Sequence, residues 1–252
     1  MAKPQIAAFV GSVAHKFAVE CGASLHIAKA CAAITYPEDL VHPWPREFSY
    51  RIEFFVHNVA PEQAILCISS FLGCDRPEHV LNVFAEEEDN NVLEAYEQLG
   101  YRHAWTNALM NRGLSANELG REPEASVRRV APEDIAAIVA LAPDHPSSAR
   151  AIKDPSLHGF VAEVEGKIVA KAQLVTNDSS IAYVSDMYTA PHHRQCGLAS
   201  ALLRRMHGQA VTSGALETIL VPSLMTRQIG FYEQHGYREL IPMHLLIPDS
   251  PP

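Results

Sequence analysis

Met187-Tyr188-Thr189-Ala190-Pro191-His192-His193-Arg194-Gln195-Cys196-Gly197-Leu198-Ala199 is the stretch that decides how this chain is read. An apolar strand-like run over residues 181–188 ends inside it, Pro191 stops that run, and a polar loop reaches Gly197, where an apolar-periodic helix over 198–212 begins. A helix start presents unpaired N–H groups and the positive end of the helix dipole, and a glycine there lets an anion approach the backbone closely. Such a turn suits a phosphate or pyrophosphate. The spacing Arg194-x-x-Gly197-x-Ala199 has neither the Gly-x-Gly-x-x-Gly of a dinucleotide site nor the Gly-Lys-Ser/Thr of a P-loop, so those two readings fall.

Upstream of that stretch, residues 126–130 read as a strand, and Pro132 leads into a helix over 135–141. Strands over 159–164 and 167–175 flank Glu165-Gly166, a hairpin signal. Downstream, 216–221 is strand-like, 225–235 helical, and 237–247 a last strand interrupted by Pro242. The order predicts an α/β fold, a mixed and mostly antiparallel sheet flanked by helices.

Residues 113–125, polar with two Gly and one Pro, break the periodicity and read as a linker near the middle of the chain. Before it, 5–19, 60–72 and 91–99 have helical spacing, while 51–56 and 79–85 are short and apolar. Tyr96-Glu97-Gln98-Leu99-Gly100-Tyr101-Arg102 returns as Tyr232-Glu233-Gln234-His235-Gly236-Tyr237-Arg238, and the strands upstream of both copies keep the same register. The repeat predicts a duplicated α/β unit, with lobes at 1–122 and 123–252. Helix, Gly cap and strand also recur by physics alone, but the matching Glu, Gln and Arg favour duplication.

The 252 residues are 48% hydrophobic with a net charge of −9, enough apolar content for a large core and too little charge for disorder. No basic run occurs, which argues against nucleic acid and anionic membrane as partners. Neither a membrane-length apolar stretch nor a leader pattern at Met1 to Val10 is present, so the expectation is a cytoplasmic protein. Cys21, Cys31, Cys67, Cys74 and Cys196 lack metal-ligand spacing and read as reduced thiols. Adjacent His192 and His193 would point to opposite faces of extended chain, so no metal site is expected. Glu86 to Asp89 read as a solvated acidic helix start.

With Arg194, Gly197 and Ala199 at signature positions, the hairpin before them and Tyr-Glu-x-x-Gly-Tyr after them, the second half resembles the GNAT family of acyl-CoA-dependent N-acetyltransferases. The resemblance spans about residues 126–247. It implies acetyl-CoA as cosubstrate, with its pyrophosphate held at Arg194, Gln195, Cys196, Gly197, Leu198, Ala199 and Ser200. It further implies that pantetheine pairs with the main chain of Met187, Tyr188 and Thr189, where an N–H would polarise the thioester carbonyl, and that Tyr232 protonates the departing thiolate. Met225 and Gln228 stand where the family often has Asn and Ala.

A small-molecule or peptide amine is the implied acceptor, attacking directly. Asp186 is the first choice for the group that deprotonates it, Glu163 the second, with His192 and His193 behind them. The net negative charge makes a cationic amine plausible. A Cys196 nucleophile beside the histidines is a minor alternative, and a non-catalytic acyl-CoA sensor or scaffold is the competing class. The first lobe has Asn58-Val59-Ala60-Pro61-Glu62-Gln63 where the cofactor loop would fall, with no glycine and no basic residue, so one CoA per chain is expected. Monomer and homodimer are both compatible with two such lobes.

Overall fold

Glu165 and Gly166 both take left-handed backbone, φ 52° and 73°, the two-residue turn that matches strand twist. They join Leu157–Val164 (β7) to Lys167–Val175 (β8) as an antiparallel pair. The computed structural model describes residues 4–38, 50–73, 78–86, 90–119, 126–142, 148–177, 180–222 and 228–249. The other strands are Ser24–Ile27 (β1), Ala32–Thr35 (β2), Ile52–His57 (β3), His79–Phe84 (β4), Tyr101–Gly113 (β5), Val127–Arg129 (β6), Ile181–Thr189 (β9), Glu217–Leu220 (β10) and Arg238–Pro248 (β11). The helices are Pro4–Cys21 (α1), Pro61–Leu72 (α2), Asn90–Gln98 (α3), Ile135–Leu141 (α4), Ala149–Lys153 (α5), Leu198–Thr212 (α6) and Ile229–Gln234 (α7).

All the strands join one sheet in the order β1-β2-β3-β4-β11-β5-β10-β9-β8-β7-β6. It is antiparallel except at β3/β4 and β9/β10, so the fold is the expected mixed, mostly antiparallel α/β sheet. The order also crosses the halves of the sequence. β5 lies against β10, and β11 lies against β4, so each half lends its last strand to the other. The exchanged strands pair along nearly their whole lengths, from Arg238 opposite Asn111 to Pro248 opposite Tyr101.

Side chains alternate across a strand with period two, and the central pair shows it. Leu109 and Leu245 face α1, whereas Met110 packs under α6 and Leu246 under α2 and α3. Among the described residues α1 is the one α-helix in the cluster on its face, where Ile6, Phe9, Val10 and Val13 pack on residues of both halves. Phe9 meets Phe55, Phe84 and Tyr183 edge-on at 6.1, 6.1 and 5.3 Å, and burying a side chain of that size contributes roughly 1.5–3 kcal/mol. A helix of the first half is thereby fixed against β9 of the second.

Several elements depart from the sequence reading. β1 and β2 were not expected, since they are four residues each and β1 is exposed throughout. Gly113 ends β5 rather than opening a linker, and Ala116–Glu118 forms a 3-10 turn in which buried Glu118 accepts from Arg112 at 2.6 Å. The rest of the expected linker, with the boundary at 122/123, lies outside the described residues, as do Glu87 to Asp89, Cys74 and Met225. Pro242 is accommodated within β11, where the ladder to β4 begins only at Met243. Among the described residues no helix is long and apolar enough to cross a membrane and no metal-binding cluster occurs. The described cysteines are free, with the Cys31 and Cys67 sulfurs 3.4 Å apart.

Candidate active site

Whether two parallel strands stay paired along their length decides whether a ligand can enter between them. β9 pairs with β10 only from Ile181 to Tyr183, opposite Glu217 to Ile219. Beyond that point no pairing between them is found among the described residues, so Met187 to Thr189 have no β10 partner on that side. The corresponding pair in the first half is closed: β3 and β4 remain in register from Ile52/His79 to His57/Phe84. Among the described residues the parallel pairing of the second half is thus the shorter of the two.

On its other side β9 is held by β8, with one irregularity. Gln173 lies opposite Ser185 and Lys171 opposite Tyr188, so β9 carries one residue more than β8 over that interval. The extra residue is a bulge at Asp186, whose φ of 53° lies in the left-handed region.

The loop after β9 has the open form its sequence suggests. Pro191–His193 makes one 3-10 turn, Arg194 Nε donates to Thr189 O at 3.1 Å, and Gln195 and Gly197 are left-handed at φ 61° and 80°. Gly197 is the N-cap of α6 and supplies no side-chain bond. The first amide to close on the helix is Ala201, to Gly197 O at 3.0 Å, which leaves the amides of Leu198, Ala199 and Ser200 as the orphan donors of the helix start. A Cβ built on Gly197 meets nothing within 4 Å. Ser200 Oγ is 2.9 Å from His235 Nε2, tying this loop to the end of α7.

Tyr232 reaches the end of β9 from α7. Its hydroxyl donates to Met187 Sδ at 3.6 Å, and burial pushes its pKa up to about 12. Tyr96, its counterpart in the repeat, is fully buried, and its hydroxyl has no partner among the described residues.

Asp186 is brought to the same end of β9, but it is already engaged. Lys16 Nζ, from α1, donates to Asp186 Oδ1 at 2.7 Å, with both side chains nearly buried. Burial alone would lower the Lys16 pKa, yet the Asp186 and Glu20 carboxylates hold it above the ordinary value. Glu20, one turn further along α1, accepts from Gln173 Nε2 at 3.2 Å. Burial drives the Glu20 pKa up to about 7, against the pull of Lys16. Buried Lys171 is shifted the other way, lowered by desolvation. Lys171, Gln173 and Asp186 line a cavity of about 140 Å³, together with Arg129, Phe160 and Ile138 among others.

The remaining sequence candidates lie elsewhere. Glu163 sits near the β7–β8 turn, where Arg128 Nε donates to it at 3.0 Å while also gripping Asp134. Glu163 does not line the cavity. His192 and Cys196 are exposed, and His193 is partly so; the Cys196 thiol donates to Arg194 O. Sequence reasoning missed Lys16, Glu20, Lys171 and Gln173. The available signal was polarity out of place: Lys16 and Glu20 are four apart in an apolar helix, and Lys171 interrupts an apolar strand.

Comparison with known proteins agrees with this geometry. Residues 155–239 match the sequence family described as acetyltransferase (GNAT) domain. An uncharacterized N-acetyltransferase of Mycobacterium tuberculosis is 31% identical over 117 residues, covering 46% of this chain and 75% of that protein. A Mycobacterium bovis protein of the same description matches equally. In fold, a GCN5-related N-acetyltransferase from Kribbella flavida superposes with a TM-score of 0.69 at 19% identity, covering 97% of this chain and 96% of that one. A GNAT-family structure from Novosphingobium aromaticivorans gives 0.57 at 17% identity, over 86% and 89%. The sequence match, together with the uncapped start of α6, places this chain in the GNAT family of N-acetyltransferases, enzymes that transfer an acyl group.

Proposed function

We propose that the protein moves the acetyl group of acetyl-CoA to a primary amine by direct attack within the second half, residues 123–252. The supporting observation is that β9 leaves its β10 pairing after Tyr183 and runs on to the loop whose glycine opens α6 with free amides. In this reading the pyrophosphate rests on the amides from Gln195 to Ser200, beside Arg194, and the pantetheine arm pairs with the free edge at Met187 to Thr189. A main-chain N–H there polarises the thioester carbonyl. The amine nitrogen attacks that carbon, the C–N bond forms, and the C–S bond breaks with the electron pair leaving on sulfur. Tyr232, kept neutral by its raised pKa, gives its proton to the thiolate.

The proton lost by the amine needs a sink near neutral pH. Asp186 would have to give up a buried ion pair to accept it, whereas Glu20 beside it binds a proton with a pKa of about 7. We therefore assign Asp186 the part of a fixed anion and Glu20 that of the proton sink. The acidic limb of kcat/KM is expected near pH 7, with the rate rising as Glu20 loses its proton, and Glu20→Gln should abolish that limb. A limb that survives in Glu20→Gln returns the role to Asp186 or solvent.

Tyr232→Phe keeps the ring packing and removes the donor. The expected result is a fall in kcat of about 10²-fold with unchanged acetyl-CoA affinity. Tyr96→Phe removes a hydroxyl that is buried without a partner among the described residues, so activity and stability should hold or improve. Steady-state kinetics with calorimetry on both variants checks the pair. A wild-type rate in Tyr232→Phe would favour the sensor reading if wild type itself releases little thiol, and another proton donor if it releases thiol freely.

The first half, residues 1–122, is in this reading a duplicated lobe without a cofactor site. Its β3–β4 pair is closed, and the loop after β3 runs through Ala60 and Pro61 into α2 with Glu62 in the first turn, where a carboxylate repels phosphate. Titration is expected to give one acetyl-CoA per chain; two equivalents would refute the assignment of the halves.

A further inference from the structure

Resting on the acetyl-transfer reading above, we infer that Gln173 seats the acceptor nitrogen: its Oε1 accepts one amine N–H while its Nε2 stays on Glu20, and this selects a primary amine over a secondary one. Every group in this seat lies on one face of the sheet. Ala172 and Leu174 pack in the core under α6, so Lys171 and Gln173, which alternate with them, face α1. Lys16 and Glu20 are on α1 itself, and Asp186 turns to the same side to meet Lys16. Lys171, Gln173 and Asp186 line the 140 Å³ cavity together with Ile138 of α4 and Ala151 of α5. Ala151 belongs to a small cluster that packs against Val19 of α1, which puts α5 on that face as well.

Gln173 is 7% exposed, and its amide is half satisfied. Nε2 donates to Glu20 at 3.2 Å, whereas Oε1 is buried without a hydrogen-bond partner among the described residues. Glu20 sets this orientation, because an ionised carboxylate only accepts. An unmet buried acceptor costs roughly 1–3 kcal/mol. Nothing across the strand pair meets it: Ser185, directly opposite, has a hydroxyl that is also buried without a partner among the described residues. The donor that completes the seat comes from outside the chain, and the amine required by the reaction supplies it. Gln173 stands beside the Asp186 bulge, at the head of the Met187 to Thr189 edge assigned to the pantetheine arm.

A neutral primary amine brings a lone pair and two N–H groups, and the seat has a use for each. The lone pair attacks the thioester carbon, one proton leaves nitrogen for Glu20, and the second N–H stays on nitrogen, donated to Gln173 Oε1, and persists in the amide product. A secondary amine has a single N–H. Once that proton has gone to Glu20, Gln173 Oε1 faces an alkyl group and is unmet again. The surroundings also favour the neutral amine that attack requires. Lys171 is itself a primary amine lining the cavity, and desolvation lowers its pKa; an acceptor nitrogen entering the same cavity is pushed the same way.

The test measures thiol release from acetyl-CoA at about pH 9, where Glu20 is ionised. The acceptors are matched: benzylamine against N-methylbenzylamine, and 2-phenylethylamine and L-leucinamide each against its N-methyl derivative. Wild type should show kcat/KM about 10- to 100-fold higher for each primary amine, the range for one buried hydrogen-bond partner. Gln173→Met, close in size but lacking the acceptor, should bring each ratio to within about threefold of one while acetyl-CoA affinity, read by calorimetry, holds. A crowded pocket rejects the N-methyl group too, but that rejection survives in Gln173→Met, and a surviving ratio overturns the inference. A wild-type ratio near one overturns it as well. If Gln173→Met does not fold, competitive inhibition of wild type gives the second reading. N-benzylacetamide, which keeps the N–H, should inhibit at least about 10-fold more strongly than isosteric benzyl acetate, which presents a lone pair there; equal inhibition overturns the inference. No thiol release with any amine, in protein shown by calorimetry to bind acetyl-CoA, overturns the acetyl-transfer reading itself and the inference with it.

Discussion

Gly197→Trp is expected to fold with α6 intact and to bind acetyl-CoA at least about 100-fold more weakly than wild type. The magnitude follows from what the indole would displace. Hydrogen bonds to a charged group contribute roughly 1.5–3 kcal/mol each, so a pyrophosphate lifted off two amides of the helix start loses two decades or more. The fold survives because the position is open: a Cβ there meets no atom within 4 Å. The φ of 80° imposes strain of about 1–2 kcal/mol on any residue with a side chain, and this must be separated from blockade of the site. Gly197→Asn does so, since asparagine tolerates left-handed backbone and is small. It should keep most of the affinity that tryptophan loses. Thermal melts establish folding and calorimetry the affinity. A folded Gly197→Trp protein with wild-type affinity would remove acetyl-CoA from this loop.

That experiment probes the part of the site that was legible in the sequence. Arg194, Gly197 and Ala199 sit in a short local pattern whose physics is also local: a strand ends, a left-handed glycine turns the chain, and a helix begins with its amides free. Turns and helix starts are encoded within a few residues, as Glu165-Gly166 also illustrates. Tyr232 was reachable through the resemblance, from the Tyr-Glu-x-x-Gly-Tyr stretch, although its contact with Met187 was not.

Long-range strand order escaped the sequence reading. The duplicated Gly-Tyr-Arg segments begin β5 and precede β11, yet nothing in either segment states that each crosses to the other half. Two lobes with their last strands exchanged and two lobes without exchange present the same periodicity and the same buried faces. The charge cluster escaped for the same reason. Asp186 read as the first-choice base, with no sign of its ion pair, because its partner is 170 positions away in sequence, on a helix that lies in the other expected lobe. Within α1, Lys16 and Glu20 are four apart in a largely apolar helix that names no partner for them; in the fold they are pressed against β9 and β8.

The same cluster carries the second large effect. Lys16→Met should destabilise the protein by about 3–5 kcal/mol, the usual result of removing one partner from a buried ion pair and leaving the other charge behind. Asp186→Asn should cost a comparable amount, and Lys16→Met with Asp186→Asn together should cost much less than the sum, because no unpaired charge remains. The pH dependence has a definite sign. The folded pKa of Glu20, about 7, lies above its ordinary value of 4.5, so the stability linked to its proton is complete below pH 4.5 and is lost as pH rises through 7. Lys16 holds the Glu20 pKa down. In Lys16→Met both this stability loss and the acidic limb of the rate profile should therefore move to higher pH. Lys16→Arg, which keeps the charge, should leave the limb near its wild-type position. Urea denaturation across pH 5 to 9 and the pH–rate profile of each folded variant provide the two readings. Additive losses in the double variant would show that the pair is not coupled. A rate profile in Lys16→Met identical to wild type would show that α1 covers the sheet without entering the chemistry, and the first half would then have no part in the active site.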